Sequence, residues 1–207
     1  MKNEAAKIVD FMAVVERLCY VERFTVMQNG VKEKDSDHIM KLCFWAFMVA
    51  RYIKRPVNIQ RMLELALVHD LAETDVGDVP YFEQRINPES IKAKERGEST
   101  AFEKYRAVLG APLGDDIYAL FQEFEAGETL EAKIVRALDI FDGNLQCNKE
   151  DFGRRYWKIG VGERVAAMRG HVYGNDIGED IIKAIEAALV ELSDSNKAKC
   201  LEEDGVV

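Results

Sequence analysis

The chain has 207 residues, enough for one domain with its own core and not enough to call for two. It carries 37 acidic against 28 basic residues, a formal net charge of -9, which disfavours non-specific nucleic-acid binding because that affinity rests on Lys and Arg neutralising phosphates. A small phosphorylated ligand remains compatible, since it needs only one or two local cations or a metal.

Helical periodicity dominates and strand-type alternation is scarce, so the predicted fold class is all-α. The opening "MKNEAAKIVDFMAVVERL" mixes acids with spaced apolar residues and reads as an amphipathic helix over 3–22, not as a signal peptide. The polar loop "TVMQNGVKEKDSD", Thr25 to Asp37, leads into a helix over 37–54, with Ser36 or Asp37 as its candidate cap. Beyond Pro56 a third helix is predicted over 58–73, opened by Asn58. These two helices, "IMKLCFWAFMVARYI" and "IQRMLELALV", are apolar nearly all round and are expected at the centre of a bundle, with Phe44, Trp45 and Phe47 as core packing. No segment reaches the length of a membrane span. The stretch "DVGDVPYFEQRINPES", with Gly77 and Pro80, reads as a loop. Further helices are predicted over 88–109, 114–126, 129–149 (capped by Thr129) and 176–193, with 151–168 a further candidate. No linker or repeat divides the chain, so one domain is expected over 1–207. Cys19, Cys43, Cys147 and Cys200 are widely spaced, form no CxxC and read as reduced thiols of a cytoplasmic protein.

Two of the three histidines, His38 and His69, fall at the ends of the two most apolar helices, and His69 is followed at once by Asp70. A buried carboxylate is costly unless an ion pair, a hydrogen-bond network or a metal accompanies it. A lone core histidine is more often a hydrogen-bonded structural residue. The adjacent Asp70 changes that reading, because neighbouring helical side chains diverge by about 100° and an ion lying between them can take both. The remaining carboxylate is sought in "EAKIVRALDIFDGNLQ". On a helical wheel Ile134, Val135, Leu138, Phe141 and Leu145 form the apolar face, with Asp142 near its centre and Asp139 at its edge, so periodicity favours Asp142. Two histidines and two aspartates suit one divalent transition metal (Mn, Fe, Co, Ni or Zn) better than calcium, and leave positions open for water and substrate. His171, in "MRGHVYGN", matches no ligand position, and "RRYWKIG" reads as a solvated helix face.

The order His38, His69-Asp70, Asp139 resembles the signature of the HD-domain metal-dependent phosphohydrolases, which implies an HD-domain helical bundle. "HDLAETDVGDVP" is similar to the H-D-x-x-E-x-x-x-G-D pattern of the branch that includes the bacterial 5'-deoxynucleotidases and human HD-domain-containing protein 2. "VRALDIFDGNLQ" resembles that branch's stretch in which Leu-Asp is followed by Leu-Gln, and this registers Asp139, not Asp142, as the ligand. "ERFTVMQNGVKEKDSDH" is similar to the run from an arginine to the first metal histidine. It implies Arg23 at the phosphate, and Phe24 where the bacterial enzymes carry a tryptophan against the sugar. The resemblance covers about Arg23 to Phe152, leaving 153–207 as a helical extension.

The resemblance thus implies one divalent metal on His38, His69, Asp70 and Asp139, with Glu73 and Asp78 sharing proton transfer and orientation, and Arg23 gripping the phosphate through a bidentate fork. The expected substrate is a nucleoside 5'-monophosphate. Another nucleotide phosphoester, or a non-catalytic nucleotide-binding regulator, are the alternatives; Glu73, Asp78 and Arg23 weigh against the regulator, which has no need of proton-transfer groups. A homodimer is expected, because family members tend to pair and the first and last helices carry many apolar positions.

Overall fold

A computed structural model describes residues 4–79, 88–148 and 173–203. Helix α1, Glu4–Glu16, ends in a 3₁₀ turn at Arg17–Cys19, well short of the predicted residue 22. The chain then becomes extended, and β1, Glu22–Val26, pairs antiparallel with β2, Lys32–Lys34, with a bulge between the Glu22–Lys34 and Val26–Lys32 pairs. The polar loop expected here is therefore a hairpin. Its inward face is polar: Thr25 and Glu33 are buried and hydrogen-bonded to each other, so no apolar alternation betrays the strands. The turn closes through Gly30, whose φ of 81° suits glycine.

Helix α2, Asp35–Val49, starts earlier than predicted because Lys34 is its cap and Asp37 sits one turn in, accepting the Lys34 N–H at 3.0 Å. A 3₁₀ turn at Ala50–Tyr52 ends it. Helix α3, Ile59–Val68, is capped as expected, Asn58 accepting the Arg61 N–H at 3.1 Å. It stops before the predicted residue 73: the chain turns through His69–Ala72 and re-forms one helical turn, α4, Glu73–Val76, closed by Gly77 at φ 77°. Helices α5 (Pro88–Leu109), α6 (Leu113–Ala126) and α7 (Leu130–Cys147) fall where predicted, and Thr129 accepts the Ala132 N–H at 3.2 Å. The predicted helix 176–193 is split at Gly178 into α8, Tyr173–Ile177, and α9, Asp180–Glu203. The candidate helix 151–168, "RRYWKIG", His171 and Pro80 lie outside the described residues.

The core lies where α2, α3 and α7 meet, with Leu42, Ala46, Met62, Leu65, Ile134, Val135 and Leu138 fully enclosed. Yet α2 is not enclosed all round. Met40, Phe44, Phe47 and Met48 are 44–58% exposed and, at helical spacing, form one apolar stripe, so Phe44 and Phe47 are not core packing. Trp45 is half-buried and faces α7. On α9 the apolar Ile182 and Leu189 are buried, whereas Ile8, Val9 and Met12 of α1 are exposed. Among the described residues no helix is long and apolar enough to cross a membrane.

Candidate active site

Three elements bring His38 (first turn of α2), His69 (end of α3) and Asp139 (α7) together, with donor atoms within 4.8 Å of one another. His38 Nε2 lies 3.0 Å from Asp139 Oδ1 and 3.8 Å from Asp70 Oδ2; His69 Nε2 lies 3.0 Å from Asp70 Oδ2. Hydrogen bonds behind the rings settle which nitrogen faces the cluster. His69 Nδ1 lies 2.8 Å from the Ala66 carbonyl, which can only accept, so Nδ1 carries the hydrogen. His38 Nδ1 lies 2.8 Å from Asp142 Oδ2, an oxygen that also accepts from Lys41 at 2.7 Å, while Trp45 donates to Oδ1 at 3.1 Å. Burial opposes ionisation of Asp142, but His38 and Lys41 outweigh it and bring the carboxyl down to about 2, so His38 Nδ1 is a donor as well.

Both rings therefore aim Nε2 inward, and although both histidines are buried neither Nε2 makes a well-formed hydrogen bond; each only faces a carboxylate oxygen at 3.0 Å. Two orphaned nitrogens beside two carboxylates match the donor set of a divalent transition metal, which His38, His69, Asp70 and Asp139 could hold. Without an ion, burial and the Arg23 charge push the His38 imidazolium down, but the Asp139 and Asp142 carboxylates beside it prevail and raise it to about 9. Burial likewise opposes ionisation of Asp70 and Asp139. For Asp70 the neighbouring His69 and Arg23, and for Asp139 the adjacent His38 ring, hold the carboxyls below their ordinary range.

Around this cluster stand the remaining predicted residues. Arg23, on β1 and 15% exposed, reaches Asp70 at 2.9 Å, Asp35 at 3.4 Å and Glu33 at 3.6 Å. Glu73 is buried, and burial together with the Asp70 charge pushes its carboxyl well up, against the pull of Lys94 at 3.1 Å. Helix α5 can bring Lys94 there because Gly97, one turn on, abuts Val76: a Cβ on Gly97 would lie 2.7 Å from Val76 Cγ1. Asp78 accepts the Phe24 backbone N–H at 3.3 Å, and Lys32 Nζ lies 5.5 Å from the Phe24 ring centroid. Every predicted site residue is thus at or beside one cluster, while Asp142 stands behind it on the far side of His38.

Sequence reasoning missed Glu33, Asp35, Lys41 and Lys94. Asp35 and Lys41 stand three residues to either side of His38 on one helix, and that spacing was a usable signal. Asp35 is fully buried; burial and the Asp70 charge push its carboxyl up to about 6 despite Arg23. Lys94 carried no local signal, because its contact with Glu73 joins two helices 21 residues apart in sequence.

A helical bundle holding a His-Asp turn against a histidine and a carboxylate from two other helices defines a class. The chain matches the HD domain over residues 15–168, and it belongs to that family. Among curated relatives it is 33% identical to 5'-deoxynucleotidase HDDC2 of Xenopus laevis, over 68% of this chain and 67% of that protein. It is 30% identical to the Homo sapiens HDDC2, over 70% and 69%, and 29% identical to 5'-deoxynucleotidase yfbR of Photorhabdus temperata, over 68% and 73%. Its fold is shared by a protein of Magnetospirillum magnetotacticum described as a predicted metal-dependent phosphohydrolase, with a TM-score of 0.79 and 24% identity over 95% of this chain and 98% of that one.

Proposed function

We propose that this chain is a metal-dependent phosphohydrolase that removes the 5'-phosphate of deoxyribonucleoside monophosphates. The observation that carries the reading is the pair of buried, unpartnered Nε2 atoms converging with Asp70 and Asp139 beside Arg23. The names of the HDDC2 and yfbR relatives support the substrate class. His38, His69, Asp70 and Asp139 would hold one divalent cation of the Mn, Fe, Co, Ni or Zn type, which when bound supplies a water of lowered pKa and polarises a phosphoryl oxygen.

The chain's own residues do the rest. Arg23 binds the phosphate through charge and paired hydrogen bonds. Glu73, buried and with its carboxyl raised by that burial and by Asp70, delivers a proton to the departing 5'-oxygen. Asp78, tied to the hairpin through the Phe24 N–H, orients the attacking water, and Phe24 forms the wall against the sugar. The apolar stripe of Met40, Phe44, Phe47 and Met48 serves as the contact of a homodimer.

The test is phosphate release from paired deoxy- and ribonucleoside 5'-monophosphates by chelator-stripped protein, with Mn, Co, Ni, Zn or Mg restored singly. Activity should return with a transition metal, and His69→Ala, Asp70→Ala and Asp139→Ala should each lose bound ion by elemental analysis. Full activity in a verified metal-free preparation would sink the reading.

A further inference from the structure

Behind the cluster a row of charges runs from the hairpin to α7. Lys41 Nζ lies 2.5 Å from Glu33 Oε1 and 2.7 Å from Asp142 Oδ2, and Asp142 Oδ2 lies 2.8 Å from His38 Nδ1. At the other end Glu33 lies 3.6 Å from Arg23 Nε. Both carboxylates are buried, Glu33 at 1% exposure and Asp142 at 2%. Supporting bonds hold the row in place. Thr25 donates to Glu33, Trp45 donates to Asp142, Lys41 donates to Gln146 at 3.3 Å, and Gln146 donates to the Val26 carbonyl at 2.7 Å.

We propose that Glu33, Lys41 and Asp142 are a positioning unit that serves both halves of the site. Asp142 fixes His38 with Nε2 toward the ion, and Lys41, by engaging Glu33, keeps that carboxylate from drawing Arg23 away from the phosphate. The proposal rests on the metal reading above. Its first half follows from counting donors: His38 Nδ1–H, Lys41 and Trp45 all donate to Asp142, and only a carboxylate accepts from all of them. An asparagine in its place must turn an NH₂ toward at least one donor, releasing the ring that the carboxylate held. The second half follows from burial. Lys41 is the cation nearest both carboxylates, and without it the enclosed Glu33 has Arg23 as its next cation.

The test uses the full chain, stripped by chelator and titrated with Mn²⁺, together with steady-state kinetics on dAMP at saturating Mn²⁺. Asp142→Asn should weaken Mn²⁺ binding roughly 10- to 100-fold with the stoichiometry still one ion. Lys41→Met should raise the dAMP KM about tenfold, a larger change than in kcat, as expected when an interaction common to ground and transition states is lost. Lys41→Arg should restore KM. Adding Glu33→Gln to Lys41→Met should also bring KM back, a rescue that a merely structural lysine does not predict. Mn²⁺ affinity of Asp142→Asn within twofold of wild type would overturn the first half. A Lys41→Met/Glu33→Gln double variant as impaired in KM as Lys41→Met would overturn the second. If Asp139→Ala also retains Mn²⁺, the metal reading itself has failed, an outcome distinct from either.

Discussion

Removing Arg23 separates its part in catalysis from its part in the fold. Arg23→Ala deletes charge-assisted hydrogen bonds to the phosphate, each worth about 1.5–3 kcal/mol, so kcat/KM should fall by roughly 10- to 150-fold for each bond lost. Because the guanidinium touches only the phosphate, purine and pyrimidine monophosphates should lose alike. The same substitution strips the buried Asp35 of a cation 3.4 Å away. That cost has a ceiling. With Arg23 present the Asp35 carboxyl stands at about 6, so taking up a proton at pH 7 costs about 1.4 kcal/mol, and the variant can always take that route. At pH 5 Asp35 is already protonated in wild type, and losing Arg23 costs nothing through this carboxyl. The sign follows: a carboxyl raised from 3.8 contributes stability at low pH that is lost as pH rises through about 6, and in the variant the loss continues to higher pH. The melting-temperature gap between wild type and Arg23→Ala should therefore widen from pH 5 to pH 7 by no more than about 3–6 °C, the shift that the ceiling of about 1.4 kcal/mol gives in a chain of this size. Scanning calorimetry of the metal-stripped protein at both pH values measures it. A gap that stays constant with pH, or a kcat/KM loss that depends on the base, refutes the reasoning.

Phe24→Trp should increase the ratio of deoxy- to ribonucleotide kcat/KM, because a larger ring closes further over the 2' position while a purely apolar wall filters an added hydroxyl poorly; an unchanged ratio removes Phe24 from the sugar site. Glu98, pushed up to about 7 by burial despite Lys94, should favour the fold below pH 4.5 and cost stability as pH rises through 7. Glu98→Gln should therefore stabilise the protein at pH 8, by on the order of 1 kcal/mol, and not at pH 4.5, by paired thermal melts. Phe44→Glu with Phe47→Glu should convert a dimer to a monomer by light scattering at micromolar concentration; an unaltered dimer would move the interface elsewhere.

Legibility followed the reach of the physics that fixes each feature. Helices α5 to α7 could be read because a local repeat specifies them, and for α7 the Thr129 cap marks its start as well. The hairpin could not, since its buried face is held by the Thr25–Glu33 pair and the Arg23 contacts, which have no period. His69 and Asp70 were conspicuous as a polar pair in an apolar run. The choice between Asp139 and Asp142 shows what periodicity reads: it selects the more buried carboxylate, and Asp142 is 2% exposed where the Asp139 side chain is 30%. On the metal reading proposed above, the group that meets ion and substrate stands at the margin of the core, while the one that braces its neighbour is enclosed. Motif order, which carries that distinction, pointed to Asp139, the residue facing Nε2.

The same accounting of charges bears on the order in which ligands bind. Arg23 is engaged by Asp70, Asp35 and Glu33, and Lys94 by Glu73 and Glu98. Even with Glu73 left out of the count and His38 charged, Asp35, Asp70, Asp78 and Asp139 outnumber the cations Arg23 and His38 at the front of the site. A phosphate dianion approaching the bare chain therefore meets like charge, worth about 4 kcal/mol per pair at 4 Å in a medium of effective dielectric 20. A divalent ion on His38, His69, Asp70 and Asp139 would offset part of that excess, give the phosphate a cation to meet, and free Arg23 from part of its pairing to Asp70. Nucleotide should thus bind only after the ion, and by linkage each should tighten the other by the same factor. The measurement is calorimetric titration of dAMP into Glu73→Gln protein, which blocks turnover, with and without Mn²⁺. Binding should be at least tenfold tighter with Mn²⁺, and Asp35→Asn should recover part of the ion-free affinity by removing one of the repelling charges. Equal dAMP affinity in stripped and Mn²⁺-loaded protein would mean that Arg23 holds the phosphate unaided, and that the acids around it do not screen its charge.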